Sequence, residues 1–188
     1  MRDNFKINTL NICPVNIMNL RLVIIWASLY AVLWTIVTVS LDPAVPYDAV
    51  EALNWAQNGE WGSPKNPWLV GLVMRPAVYL PANIYWYASH FLAIALGMVG
   101  SWVLAHRLTG SNMLAWFALL TLNLSGLISF DIISYNDNYL LVMLWPWMMY
   151  CYLQAISRNL YWWLAFALLA GLATMSKYST LILVGSVF

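Results

Sequence analysis

The chain has 188 residues, 63% hydrophobic, 15% aromatic and only 8% charged, against roughly 25% charged in a typical soluble domain. A globule of this size cannot hide so much apolar surface from water, and a net charge of +1 offers nothing to nucleic acid, so the composition points to an all-α integral membrane protein. Two cysteines, Cys13 and Cys151, show no CxxC or Cys/His spacing and so give no zinc or redox motif.

Met1 to Arg21 contains no apolar core followed by a small-residue cleavage site, so no removable signal peptide is read there. The chain is then uncharged from Leu22 to Leu41. About 20 apolar residues cross the hydrocarbon, which places a first span near 21–40. A long polar loop follows over 41–83. Asp42-Pro43 and Pro46 open it, and Asn58-Gly59 is a helix stop. Between them Tyr47 to Asn58 reads as a short amphipathic helix along the outer interface, with Ala49, Val50, Leu53 and Ala56 toward its apolar side.

Asp48, Glu51 and Trp55 share another face of that helix. Two carboxylates one turn apart can act as a general base or share a divalent cation. They can equally form the solvated face of an interfacial helix, and spacing leaves both readings open. Lys65, beyond the Trp61-Gly62-Ser63-Pro64 turn, has the same ambiguity. It could grip a lipid phosphate or sit in water.

Spans near 84–106, 112–130, 139–156 and 160–182 complete a bundle of about five transmembrane helices. His90, in the second span, reads as a hydrogen-bonded packing residue, and Pro146 as a kink in the fourth. The turn before the fourth span holds Asn136, Asp137 and Asn138, more polar side chains than a helix cap needs. Lys177 falls near the outer end of the fifth span. An intramembrane lysine either faces a polar cavity or snorkels to the headgroups, and both remain open. The chain stops on apolar residues soon afterwards, which reads as the N-terminal portion of something larger.

Arg2, Lys6, Arg21, Arg107 and Arg158 fall on one side of this topology, which by the positive-inside rule makes the N-terminus cytoplasmic. Asp48, Glu51, Lys65, Asn136, Asp137, Asn138 and Lys177 then all belong to the outer membrane boundary. Acids for proton chemistry, amides for hydrogen bonding and lysines for an anion suit a phosphate-linked lipid substrate.

Three segments resemble a known family. Asp48-x-x-Glu51 with Gly59-Glu60-Trp61-Gly62 and Lys65-Asn66-Pro67-Trp68-Leu69 looks like the first outer loop of polyprenyl-phosphate-sugar-dependent glycosyltransferases. These are the GT-C membrane enzymes related to the protein O-mannosyltransferases and to the rhizobial RgtA/B/C/D transferases. Tyr135-Asn136-Asp137-Asn138 with Leu144-Trp145-Pro146-Trp147 is similar to their second outer loop and fourth span, and Gly171 to Ser179 resembles their fifth. Asn66 and Trp68 depart from the usual His and Pro, and Asp137 stands where a small residue is common. Such enzymes also have around twice as many spans and a C-terminal domain.

The resemblance implies a GT-C-type helical bundle that transfers a sugar with inversion from a polyprenyl-phosphate carrier to a lipid, glycan or protein acceptor. The transfer would occur at the non-cytoplasmic face, and likeness to the bacterial branch points to a bacterial inner membrane. By the same likeness Asp48 would be the general base or a metal-associated carboxylate, with Glu51 in support. Lys65 and Lys177 would neutralise the carrier phosphate. Asn136 and Asn138 would line the sugar or phosphate site, flanked by Asn66 and Asp137. The one cofactor in view is a divalent cation. The rival readings are an inactive truncated membrane fragment and a small transporter or flippase subunit.

Overall fold

A computed structural model describes residues 17–61, 67–124, 138–157 and 160–187. Among these, regular structure consists of eight α-helices and one 3₁₀ turn: α1 (Ile17–Leu41), α2 (Tyr47–Asn58), α3 (Leu69–Met74) running into the 3₁₀ turn Arg75–Val78, α4 (Ala82–Thr109), α5 (Asn112–Leu124), α6 (Tyr139–Ser157), α7 (Leu160–Ser176) and α8 (Thr180–Val187). Helices α1, α4 and α6 are long and apolar enough to cross a membrane, and α5 and α7 are shorter apolar helices. The protein is an all-α, multi-pass membrane protein.

Helix α1 buries only Val23, Ala27 and Ala31. These lie four residues apart, so they form one narrow stripe of small side chains against α4. Leu22, Ile25, Leu29, Val32, Leu33 and Ile36 remain exposed. Such a surface is stable only where the surroundings are as apolar as the side chains. Higher up, Tyr30 and Trp34 pack their rings on Phe91 of α4.

Helix α4 is the central element and touches α1, α5 and α6. Gly110 ends it in the left-handed conformation (φ 67°), with its N–H bonded to the His106 carbonyl. Helices α4 and α6 run parallel: Trp86 meets Tyr139 at one end, and at the other Arg107 donates to Gln154 and Ser157. Between these ends Gly97 lies against the Val142 carbonyl and Gly100 against the Trp147 indole. Trp147 Nε1 also donates to the Leu96 carbonyl at 3.0 Å. The sequence explains the closeness. Pro146 lies inside α6 and has no N–H, so Val142, four residues earlier, keeps a carbonyl with no intrahelical donor. That carbonyl occupies the space a Gly97 side chain would need, which suits a weak Cα–H···O contact.

Helix α7 runs back antiparallel to α6, with Tyr150 against Trp162 and Tyr152 against Trp163 and Phe166. The stretch that reads as one span near 160–182 holds two helices. Helix α7 stops at Ser176 and α8 begins at Thr180. Thr180 Oγ1 donates to the Ala173 carbonyl at 3.1 Å and accepts from Trp145 Nε1 at 3.3 Å. A threonine hydroxyl that bonds a backbone carbonyl competes with the helical ladder, and here a neighbouring helix holds it in place.

Candidate functional site

One end of the bundle gathers the polar elements. Asn83 Nδ2, in the first turn of α4, donates to the Pro43 carbonyl at 3.1 Å, and Tyr87 OH lies 3.3 Å from the Ala44 carbonyl. These bonds tie the end of α1 to the start of α4. Tyr85 OH donates to the Val73 carbonyl at 2.8 Å, which fastens α3 to the same place. Helix α3 touches both α2 and α7. The start of α6 joins them through Tyr139, whose ring packs on Trp86 and His90.

Asp48 and Glu51 are therefore on the same rim as Asn138 and Lys177. Asp48 lies in the first turn of α2, where a carboxylate is favoured by the helix dipole. Both carboxylates are half-buried. Asn138 is half-buried, and its carbonyl accepts from the Leu141 and Val142 N–H groups at the start of α6. Lys177, also half-buried, follows α7 directly, its N–H bonded to the Ala173 carbonyl at 2.9 Å. Lys65, Asn66, Asn136 and Asp137 lie outside the described residues.

The inward face of α2 differs from the one read in the sequence. Val50 is 52% exposed and Trp55 only 6%; the buried residues are Ala49, Ala52, Trp55 and Ala56. The cause is α3, which presses Gly71 onto this face. A methyl at Gly71 would lie 2.9 Å from Trp55 Cβ. Trp55, which shares a face with Asp48 and Glu51, is thus turned into the protein, while the two carboxylates stay partly exposed beside it.

His90 also departs from expectation. It is fully buried, yet neither ring nitrogen has a hydrogen-bond partner among the described residues. The Trp86 indole N–H, one turn earlier on α4, is likewise unpartnered. Burial of such groups without partners is costly, and nothing in the spacing of α4 announces it. Sequence reading also passed over a cleft at the far end of α2, lined by Trp55, Glu60, Trp61, Trp68, Gly71 and Arg75. The available signal was the spacing of Gly71 and Arg75, which puts them one turn apart on one side of a short helix.

Among the described residues no group of three or more His, Cys, Asp or Glu side chains is placed to hold a metal ion. Within that set Asp48 and Glu51 have no third such side chain beside them.

A family model described as dolichyl-phosphate-mannose-protein mannosyltransferase matches residues 63–188, more than half of the chain. The matched segment begins after α2, so it covers Asn138 and Lys177 but not Asp48 or Glu51. No curated protein and no solved structure matches the chain.

Proposed function

Since the chain belongs to the dolichyl-phosphate-mannose-protein mannosyltransferase family, and is thereby a membrane glycosyltransferase of the GT-C type, we propose that its polar rim transfers a sugar from a polyprenyl-phosphate carrier to an acceptor hydroxyl. In this reading the rim faces the non-cytoplasmic side of a bacterial inner membrane, with the N-terminus in the cytoplasm. The acceptor oxygen attacks the anomeric carbon on the side opposite the carrier phosphate. The bond from that carbon to the phosphate oxygen breaks, and the electron pair leaves with the polyprenyl phosphate. The anomeric configuration inverts.

Asp48 takes the proton from the acceptor hydroxyl, and Glu51, one turn along the same helix, supports it. A general base contributes about 10²–10⁴-fold to rate. Lys177 and Lys65 neutralise the phosphate as it departs, and charge stabilisation of this kind is a large catalytic term. Asn138, Asn136, Asn66 and Asp137 complete the polar surroundings of the sugar and phosphate.

One observation carries the reading. Half-buried carboxylates on α2 share a rim with the Lys177 turn and the Asn138 cap, although they are distant in sequence. The test is consumption of radiolabelled polyprenyl-phosphate-mannose by the chain in proteoliposomes. Asp48→Asn is expected to lower sugar transfer by at least about 100-fold with unchanged membrane insertion. Wild-type turnover in that variant would remove Asp48 from the mechanism. Carrier movement without release of polyprenyl phosphate would favour the transporter reading instead.

A further inference from the structure

The cleft at the C-terminal end of α2 is built by two glycines. Gly59 adopts the left-handed conformation (φ 66°), and its N–H and that of Glu60 both bond to the Trp55 carbonyl. This turn folds Glu60 and Trp61 back beside the end of the helix. Gly71 lets α3 approach until its backbone nearly touches Trp55. Arg75, one turn beyond Gly71, then closes the other side.

The result is a concave site of about 160 Å³ with two kinds of wall. Trp61 and Trp68 stand edge to face, with ring centroids 5.0 Å apart. Trp61 is 78% exposed, so a large apolar ring is left uncovered on a polar loop. Glu60 and Arg75 are exposed beside it and supply an acceptor and a fork of donors. The volume lies below the range of about 300–1,000 Å³ usual for drug-sized ligands, a size that suits one ring.

We infer that this cleft binds a single pyranose ring. A pyranose has apolar C–H faces, which suit the indoles, and a rim of hydroxyls, which suit a carboxylate and a guanidinium. The inference rests on the sugar-transfer reading for what the ring belongs to. Trp55 is seven residues from Asp48 along α2, about 10 Å, too far for one ring to occupy both places. The bound ring is therefore a non-reacting sugar of the acceptor, and the acceptor is a saccharide of at least two residues.

The test is saturation-transfer NMR on the purified full chain in nanodiscs. The probes are methyl α-D-mannopyranoside, methyl β-D-glucopyranoside and a short serine/threonine peptide. The expected result is transfer to the ring C–H protons of at least one glycoside. The response should fall at least fivefold in Trp61→Ala and at least threefold in Glu60→Gln and Arg75→Ala. Gly171→Ala, whose added methyl meets nothing within 4 Å, should bind the glycoside as wild type does. Trp61 is exposed, so its replacement leaves the fold intact, checked by the helical circular dichroism signal.

Absence of transfer, or equal transfer in Trp61→Ala, overturns the inference. Preferential binding of the peptide overturns it in favour of a protein acceptor. Strong quenching of Trp61 by brominated lipid without a glycoside response assigns the two indoles to the membrane interface and overturns it as well. Glycoside binding with no donor consumption would sink the transfer reading and leave the cleft standing. Donor consumption without glycoside binding would do the reverse.

Discussion

Replacing Gly97 with alanine tests whether backbone approach sets the α4–α6 contact. The added methyl would land on the Val142 carbonyl oxygen, 2.8 Å from the carbonyl carbon and 3.2 Å from Met143 Cα. All three are backbone atoms, so no change of rotamer can make room. Carbon contacts are optimal at about 3.5–4.0 Å, and restoring even the lower figure to the carbonyl carbon needs roughly 0.7 Å of separation. A gap of that size forfeits about a quarter to a half of each dispersion contact it opens. Overpacking of this kind costs about 1–3 kcal/mol. The better helix propensity of alanine returns at most about 1 kcal/mol.

Gly171→Ala on α7 is the matched control, since nothing lies within 4 Å of its added methyl. It is expected to stay within about 0.5 kcal/mol of wild type or to gain stability. Both variants can be titrated from mild micelles into dodecyl sulfate, with tryptophan fluorescence and circular dichroism followed together. Gly97→Ala should unfold at a clearly lower detergent fraction, and Gly171→Ala should not. If the two variants unfold at the same midpoint as wild type, the close approach of α4 to the Val142 carbonyl is not what holds the helices together.

Two further perturbations follow from buried polar groups. Thr180→Val keeps the shape but leaves Trp145 Nε1 and the Ala173 carbonyl without the hydroxyl. A loss of about 0.6–1.7 kcal/mol is expected in the same titration, with Thr180→Ser near wild type; an unaffected Thr180→Val would show that the hydroxyl does not hold the α7–α8 turn. His90→Phe removes two unpartnered ring nitrogens while keeping a ring against Trp86 and Tyr139. Stability should rise by about 1 kcal/mol or more, and a fall would mean that His90 has a partner in the working protein.

Charges made the long helices legible. Hydrocarbon excludes ionised side chains, so the uncharged run Leu22–Leu41 nearly coincides with the end of α1, and the α2 boundaries follow from Pro46 and Gly59. The placement of Asp48, Lys177 and Asn138 at one rim was readable for the same reason, because crossing number fixes the side on which each turn emerges. The inward face of α2 was not. Val50 and Leu53 are as apolar as any residue there, but α3 arrives from beyond Pro67 and selects the small residues that let Gly71 in. The break at Lys177 depends on Trp145, a residue of another helix. His90 gave no warning, since a histidine on an apolar helix looks the same whether or not a neighbour satisfies it.

The crossing helices differ in height. At 25 and 19 residues, α1 and α6 measure about 37 and 28 Å. Both pack on α4, so the apolar belt of the bundle differs in height from one helix to the next. Mismatch of this size is relieved by leaning the tall helix or thinning the bilayer beside the short one. Thinning beside α6 would bring the headgroup layer down toward the turn at Lys177, which follows the α7 helix packed on α6.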